Sequence, residues 1–385
     1  MEDILQKIKP TKKEEEELLK RINKVIKKVK IKDAKVVLGG SGAKGTWLKG
    51  THDVDIFVKF HYHLKDKDIS SLLEKALRKS FKKVERIHGS RDYFQIKEEN
   101  YTFEFIPILN ITNANKAANI TDVSPLHTEF VKKNSNEKIR DEIRKAKHWL
   151  KMNRLYGAES YVRGFSGYVT EILIIYYKSF ESFIKNAKKW KYGKVVDIKN
   201  YKSELNESKK GALIVIDPVD KYRNASAALS DQNFYKFLKL ANKKIGFEEE
   251  KKDIKNFNLL IKAKPLGGKK DIIFTKVLKV FEFFTEKLKK FGIVKKDITF
   301  GNECLLLFKL KRNILDAKEA HIGPPVKIEK ASKVFLNKYK KFKPYKKKGR
   351  WYVDLKVKHR KVKDFVRQLL KENYVRERVE SVKIK

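Results

Sequence analysis

The stretch from Val37 to Phe60 constrains this chain more than any other. An apolar run, Ala34 to Leu38, leads into a glycine-rich turn over residues 39–45, and a second strand-like run carries Asp53 and Asp55. Side chains alternate across a strand, so Asp53 and Asp55 project from one face while Val54 and Ile56 project from the other. Two carboxylates on one face, a short reach from a turn able to receive phosphate, suit two-metal phosphoryl transfer. There, paired Mg²⁺ ions lie roughly 3.5–4 Å apart and share a carboxylate bridge. The bland alternative, a hairpin turn beside two solvated aspartates, leaves the spacing of turn, pair and a later Glu104 as coincidence.

The glycines alone decide nothing. Gly40-Ser-Gly42-Ala-Lys-Gly45 matches the dinucleotide fingerprint G-x-G-x-x-G and follows a strand. Yet only residues 46–52 separate Gly45 from the next strand, too few for a crossover helix. The acidic pair also arrives well before the ribose-binding acid, expected about 20 residues on. A P-loop fails because Thr46 follows Gly45 where a Lys belongs. In Tyr101-Thr-Phe-Glu-Phe-Ile-Pro107, Phe103 and Phe105 alternate against Glu104, so the glutamate faces away from the aromatic side. Pro107 is expected to end that strand.

Composition narrows the partner. Ninety-two Lys and Arg against 48 Asp and Glu leave a net +44, and 41% hydrophobic with 11% aromatic residues indicates a folded chain rather than a basic tail. Such a field favours a polyanion. The most apolar run, Val169 to Tyr177, is short and interrupted by Glu171, so nucleic acid is a better partner than a membrane. Cys304 is the sole cysteine, which excludes an internal disulfide, and the opening residues, with Glu2 and Asp3, do not resemble a signal peptide. A cytoplasmic protein is expected.

Along the chain, Thr11 and Glu14 read as a capping box that opens a helix through Leu18, Leu19, Ile22, Val25, Ile26 and Val29. A helix over Ile69 to Phe81 and strands over Arg91 to Ile96 and Tyr101 to Ile106 complete a small α+β head, residues 1–130. A helix from Asn136 carries Ile139, Ile143, Ala146 and Leu150 on one stripe and is expected to stop at Tyr156-Gly157. Phe165 to Ala187 reads as a single core helix, Lys191 to Gly211 as a loop or hairpin arm, Ala212 to Ile216 as a strand and Ala227 to Asn242 as a helix. These make a mainly helical central unit, 131–247. Glu248 to Asp253 is a charge run suited to a linker. The remainder, in 248–385, alternates strand and helix: strands at Phe257 to Lys262, near Ile298 and Leu305, and at Trp351 to Val357, with helices at Ile272 to Lys290, after Pro325 and at Val362 to Lys371. The fold class is therefore α+β.

Gly40-Ser41, then Asp53-x-Asp55, then a carboxylate three residues before a Pro resembles the nucleotidyltransferase superfamily that includes DNA polymerase β. Three segments are more specific: Gly-Thr-Trp-Leu-Lys-Gly (45–50), Tyr-Gly-Ala-Glu-Ser-Tyr-Val-Arg-Gly-Phe-Ser-Gly-Tyr (156–168) and Asp-Pro-Val-Asp-Lys-Tyr-Arg-Asn (217–224). They resemble the archaeal-type, class I CCA-adding tRNA nucleotidyltransferases, densely from about Val37 to Phe237 and loosely beyond. Lys44 stands where that family usually carries Arg, and Glu104 where it usually carries Asp. The Glu-Asp-x-x-Arg motif of the bacterial-type enzyme is absent.

The resemblance implies a polymerase β-like head, two Mg²⁺ ions held by Asp53, Asp55 and Glu104, and template-free addition of C, C and A to the 3′ end of tRNA from CTP and ATP. By the same resemblance Gly40, Ser41, Lys44, Ser124, His127, Lys147 and Tyr156 meet the triphosphate, while Asp217 and Arg223 lie at the incoming base. Lys147 and Tyr156, nine residues apart, are expected on one helix facing one cleft. Arg223 is expected in a polar turn, where its planar fork could meet a base edge. In the last hundred residues, aromatics interleave with Lys340, Lys341, Lys343, Lys346, Lys347, Lys348 and Arg350, a stripe suited to tracking the RNA backbone at the tRNA acceptor end. A homodimer is compatible with the resemblance. Two competing readings are an oligoadenylate or poly(A) polymerase, separated by product sequence, and a catalytically dead RNA-binding module, separated by metal-dependent labelling.

Overall fold

The computed structural model describes residues 2–247 and 254–385, and the chain divides into two compact units between residues 250 and 251. The expected linker at 248–253 lies outside the described residues. The first unit opens with α1 (Glu2–Ile8) and α2 (Lys12–Lys28). Thr11 and Glu14 form the capping box reciprocally, and Leu18, Ile22 and Val25 are the buried stripe of α2. There follow β1 (Ala34–Leu38), α3 (Gly40–Lys44), β2 (Asp53–Phe60), α4 (Ile69–Ser80), β3 (Glu85–Ile87), β4 (Tyr93–Glu98) and β5 (Tyr101–Leu109). The five strands form one mixed sheet in the order β1-β2-β5-β4-β3, with β2 and β5 parallel and the other neighbours antiparallel. Val54, Ile56, Val58, Phe103 and Phe105 point into a core closed by α2 and α4, which leaves the opposite face of β2 and β5 for Asp53, Asp55 and Glu104.

Two local expectations are corrected here. Residues 40–44 are not an open turn but the short helix α3, stopped by Gly45 in the left-handed region, φ 65°. Pro107 does not end β5, which continues to Leu109. The β4 ladder stops at Phe105, and the Pro107 carbonyl faces that open side, accepting from Arg91 Nη1 at 3.2 Å. An N–H and a C=O of one strand residue point the same way, so the missing donor falls where no strand needs it.

The rest of the first unit contains α5 (Ser124–Lys133), α6 (Glu137–Met152), α7 (Gly167–Tyr177), α8 (Phe180–Ala187), β6 (Lys194–Val196), β7 (Leu213–Asp217), β8 (Asp220–Asn224) and α9 (Asp231–Ala241). Its core is aromatic: Trp149, Phe165, Phe180, Phe183, Phe234 and Phe237 are all buried together. The single helix expected over Phe165 to Ala187 is two. Lys178 takes the left-handed conformation, φ 69°, and Ser179 caps the new helix by accepting from the Ser182 N–H. The stretch expected as a hairpin arm instead supplies β6, which runs parallel to β7, and the sheet order is β6-β7-β8. The helix from Asn136 ends at Met152, four residues short of Tyr156.

The second unit contains β9 (Leu259–Pro265), α10 (Lys270–Leu288), β10 (Ile293–Thr299), β11 (Cys304–Leu310), β12 (Lys318–Pro325), α11 (Glu329–Tyr339), β13 (Tyr345–Lys347), β14 (Arg350–Lys356), α12 (Val362–Leu369), α13 (Asn373–Arg376) and β15 (Val379–Ile384). It forms two antiparallel sheets, β10-β11-β9-β15 and β12-β14-β13. Sequence reading missed β12, β13 and β15. β12 and β15 are largely exposed and mix charged, polar and apolar residues with no apolar run, and β13 is three exposed residues. Among the described residues no helix is long and apolar enough to cross a membrane.

Candidate active site

The carboxylates are placed by sheet register. In the parallel pairing of β2 with β5, Asp55 lies directly opposite Glu104 and Asp53 opposite Thr102. Asp53 is exposed and Asp55 half-buried. Burial raises the pKa of Asp55 above the ordinary carboxylate value; Lys44 opposes this, and Asp53 reinforces it. Glu104 Oε1 accepts from Gln95 Nε2 on β4 at 2.6 Å, which turns it toward the third strand. Gln95 was not singled out from sequence.

Gly40 fits this cluster for a steric reason. Its φ is +51°, and a Cβ there would stand 1.7 Å from Asp55 Oδ2. The space that glycine leaves open lies against that oxygen. Among the described residues no group of three His, Cys, Asp or Glu side chains is gathered tightly enough to hold an ion. The donor chemistry still fits a hard divalent cation, because Asp53 and Asp55 present carboxylate oxygens from one strand face beside this opening. Glu104 joins them from across the register, directly opposite Asp55.

The α3 helix is clamped from behind. Arg144 on α6 donates to the carbonyls of Gly45 at 2.7 Å and Trp47 at 3.1 Å, and it also pairs with Asp141 at 2.6 Å. Ser41 lies in the first turn of α3. Ser124 opens α5, whose position relative to β5 is tied by buried Asp122: its Oδ1 accepts from the Leu109 N–H at 2.9 Å, and it also pairs with Arg91.

Two buried clusters flank the carboxylates. In the first, Glu171 of α7 accepts from Lys44 Nζ at 2.7 Å, Lys147 Nζ at 2.7 Å and Thr46 Oγ1 at 2.6 Å. Burial works against ionisation of Glu171, but Lys147 and Lys44 together outweigh it and hold its pKa well below the usual range. Tyr156 joins Lys147 by a different route from the one expected. It lies outside α6, in a loop closed by Gly157 N–H to Phe165 O at 2.8 Å and Phe165 N–H to Leu155 O at 2.7 Å. That loop brings the phenol back to α7, where a Cβ on Gly167 would lie 2.8 Å from Tyr156 Oη and 4.0 Å from Lys147 Cε.

In the second cluster, fully buried Asp217 at the end of β7 receives four donors. They are Arg223 Nη1 at 2.5 Å, His127 Nε2 at 3.1 Å, Tyr168 Oη at 2.9 Å and the Val219 N–H at 3.0 Å. Burial opposes the charge on Asp217, yet these partners keep its pKa down at about 2. Burial pushes the pKa of His127 below the ordinary imidazole value against the pull of Asp217. The His127 ring stacks on Tyr168 with centroids 3.9 Å apart. Arg223 is on β8 rather than in a turn, and 30% of its side chain remains exposed. Tyr168, Thr46 and Glu171 are site residues that sequence reading did not assign.

In the second unit all seven residues of the basic stripe are exposed. Lys348 (φ 49°) and Gly349 (φ 72°) form a two-residue turn between β13 and β14, the geometry that matches strand twist. The register sets Lys347 directly across from Arg350 and Tyr345 across from Tyr352, whose rings stack at 5.9 Å. Like charges set face to face across a hairpin are unfavourable unless an anion lies between or above them.

Known proteins match this chain along its length. Residues 16–111 match the nucleotidyltransferase domain, 141–257 the second domain of tRNA nucleotidyltransferase, and 269–381 the C-terminal domain of the CCA-adding enzyme. The CCA-adding enzyme of Nanoarchaeum equitans is 37% identical over 326 residues, covering 80% of this chain and 80% of its own. That of Methanocaldococcus jannaschii is 30% identical over 381 residues, covering 89% and 84%. A crystal structure of a single-residue mutant of the Cid1 poly(U) polymerase bound to MgATP superposes with a TM-score of 0.50 at 16% identity, over 64% of this chain and 97% of that one, a likeness of fold alone. With three successive domains matched and relatives covered over most of their length, the chain belongs to the CCA-adding enzymes, a family of tRNA nucleotidyltransferases.

Proposed function

We propose that this chain adds C, C and A without a template to the 3′ end of tRNA, consuming CTP and ATP and releasing pyrophosphate, and that it works in the cytoplasm with two Mg²⁺ ions. The observation that carries the reading is the pair Asp53 and Asp55 on one strand face beside the Cβ-free Gly40, in a chain of this family. Asp53 and Asp55 would hold both ions and Glu104 one of them. Bound there, Mg²⁺ supplies charge neutralisation at the reacting phosphate and lowers the pKa of the attacking hydroxyl. The tRNA 3′-oxygen forms a bond to the α-phosphorus, the bond to the pyrophosphate oxygen breaks, and Glu104 takes the hydroxyl proton. Gln95 fixes the rotation of Glu104 for that task. Lys44 and Lys147, with Glu171, leave a net positive charge beside the carboxylates, which together with Ser41, Ser124, His127 and Tyr156 suits a triphosphate. The test is transfer of labelled CMP to tRNA lacking its CCA end. Transfer that needs Mg²⁺ and stops in chelator supports the reading; transfer indifferent to chelator, or none with intact protein, overturns it.

We assign the base pocket to Arg223, a reading supported by its anchorage on Asp217 and its partly open guanidinium. Arg223→Ala is expected to loosen nucleotide choice by about 1–3 kcal/mol, the scale of one forked contact to a base edge. GTP and UTP should then gain on CTP and ATP in single-nucleotide incorporation while tRNA affinity holds. An equal fall for all four triphosphates would make Arg223 a structural or phosphate residue.

The opposed Lys347 and Arg350 and the stacked Tyr345 and Tyr352 support a reading in which the β13–β14 hairpin follows the RNA backbone. Lys347→Ala with Arg350→Ala should relieve the like-charge pair and keep the fold. For each RNA phosphate no longer neutralised, the log–log salt slope of tRNA binding should fall by roughly 0.7–0.9. An unchanged slope places the RNA surface elsewhere.

A further inference from the structure

Glu171 is a puzzle on its own helix. Its neighbours Val169, Thr170, Ile172, Leu173, Ile174 and Ile175 are all buried, and Glu171 is itself fully enclosed. A lone carboxylate there would be strongly disfavoured, and two ammonium groups supply more positive charge than its neutralisation requires. The arrangement therefore does something besides balance a charge.

Lys147 has three N–H donors, and all three are engaged inside the protein: Glu171 Oε1 at 2.7 Å, Thr46 Oγ1 at 2.9 Å and the Thr46 carbonyl at 3.3 Å. Lys44 gives one N–H to Glu171 Oε2 at 2.7 Å. Lys44 is the last residue of α3, and Thr46 follows the Gly45 stop of that helix. Both therefore hang from α3, whose first residue, Gly40, sits against Asp55. One carboxylate on a buried helix thus fixes Lys44 at the end of α3 and Thr46 just beyond it, and through them the end of α3 away from Gly40 and Asp55.

We infer that Glu171 is a positioning residue for nucleotide binding: it holds Lys44 and Lys147 as one rigid cationic bracket and anchors α3 against α7, so that the triphosphate meets a preformed positive site. The inference rests on the phosphate role proposed above for Lys44. A bracket of this kind acts on CTP and ATP alike, because it touches neither base, and it leaves tRNA binding alone.

The test is a double-mutant cycle on the full-length protein, reading KM and kcat for CTP and ATP separately and tRNA affinity in parallel. Glu171→Gln is expected to raise KM for both triphosphates together by tenfold or more, with a smaller fall in kcat and unchanged tRNA affinity. In a Lys44→Met background the same change should cost clearly less than in the wild type, because one of the two lysines through which Glu171 acts is gone while its bonds to Lys147 and Thr46 remain. Glu171→Asp keeps the charge on a shorter arm and should fall between wild type and Gln, with the same non-additivity; it replaces Gln in the cycle if Gln does not fold. If Glu171→Gln folds with KM values within twofold of wild type, or if its effect is the same in both backgrounds, the inference is overturned. If Lys44→Met leaves both KM values unchanged, the phosphate assignment of Lys44 fails first and takes this inference with it. That result is distinct from a failure of Glu171 alone.

Discussion

Replacing Asp53 or Asp55 by Asn is expected to abolish transfer of both CMP and AMP, with a loss on the order of a thousandfold or more, while the protein still binds tRNA. The magnitude follows from removing several kcal/mol of stabilisation that exists only where charge develops in the transition state. The two variants should differ in stability in an informative way. Asp53 is exposed, so its loss should leave the melting temperature close to wild type. Asp55 is more enclosed, and burial together with Asp53 outweighs the attraction of Lys44, so a neutral side chain of equal size removes a net unfavourable charge and should not lower the melting temperature. Loss of activity with retained fold, read by single-turnover labelling alongside thermal denaturation, is the expected pattern. Activity within tenfold of wild type in either variant would remove the carboxylate pair from the mechanism.

Gly40→Ala should be nearly as damaging, although it adds only a methyl group. The methyl carbon would stand 1.7 Å from Asp55 Oδ2, so one of the two must move, and the φ of +51° is itself unfavourable for a residue with a Cβ. A displacement of about 1 Å at a catalytic group can cost roughly a hundredfold in rate, and a comparable loss is expected here. The discriminating observation is a fall in kcat with tRNA affinity unchanged. If Gly40→Ala turns over within threefold of wild type, the close approach of α3 to Asp55 is not a catalytic constraint.

The carboxylate-bearing face was legible because it depends on local periodicity. Asp53 and Asp55 alternate against Val54 and Ile56, and Glu104 against Phe103 and Phe105, and the structure puts those apolar residues in the core. The parts that were not legible depend on contacts between distant segments or on single backbone angles. Asp217 and Arg223 share one segment of the sequence, but that His127 and Tyr168, from two other elements, would close on Asp217 left no local signal. Lys178 splits an apolar run into two helices through one left-handed residue, which hydrophobicity cannot register. Tyr156 reaches α7 through backbone bonds across a loop rather than along a helix. Glu171 did leave a signal. It is a single carboxylate in the most apolar run of the chain, and its weight there lay in the buried ion pairs it demands rather than in interrupting a membrane span.

The division of the site into two buried ionic clusters also has a consequence for specificity. The Glu171 cluster, near the carboxylates, is built from lysines, which act as point charges and suit phosphate oxygens of any nucleotide. The Asp217 cluster carries the one guanidinium, Arg223, with its directional donors. Such a partition would let one catalytic centre serve CTP and ATP in turn while the choice between bases is made elsewhere.

The most direct measurement of the central claim is the sequence of the product. The protein is incubated with Mg²⁺, CTP and ATP and a tRNA ending just before the first C, and the new 3′ ends are read one molecule at a time. The account predicts ends that read CCA and stop, with CC when ATP is withheld. Homopolymeric A-tracts, or addition that continues beyond the A, would contradict it.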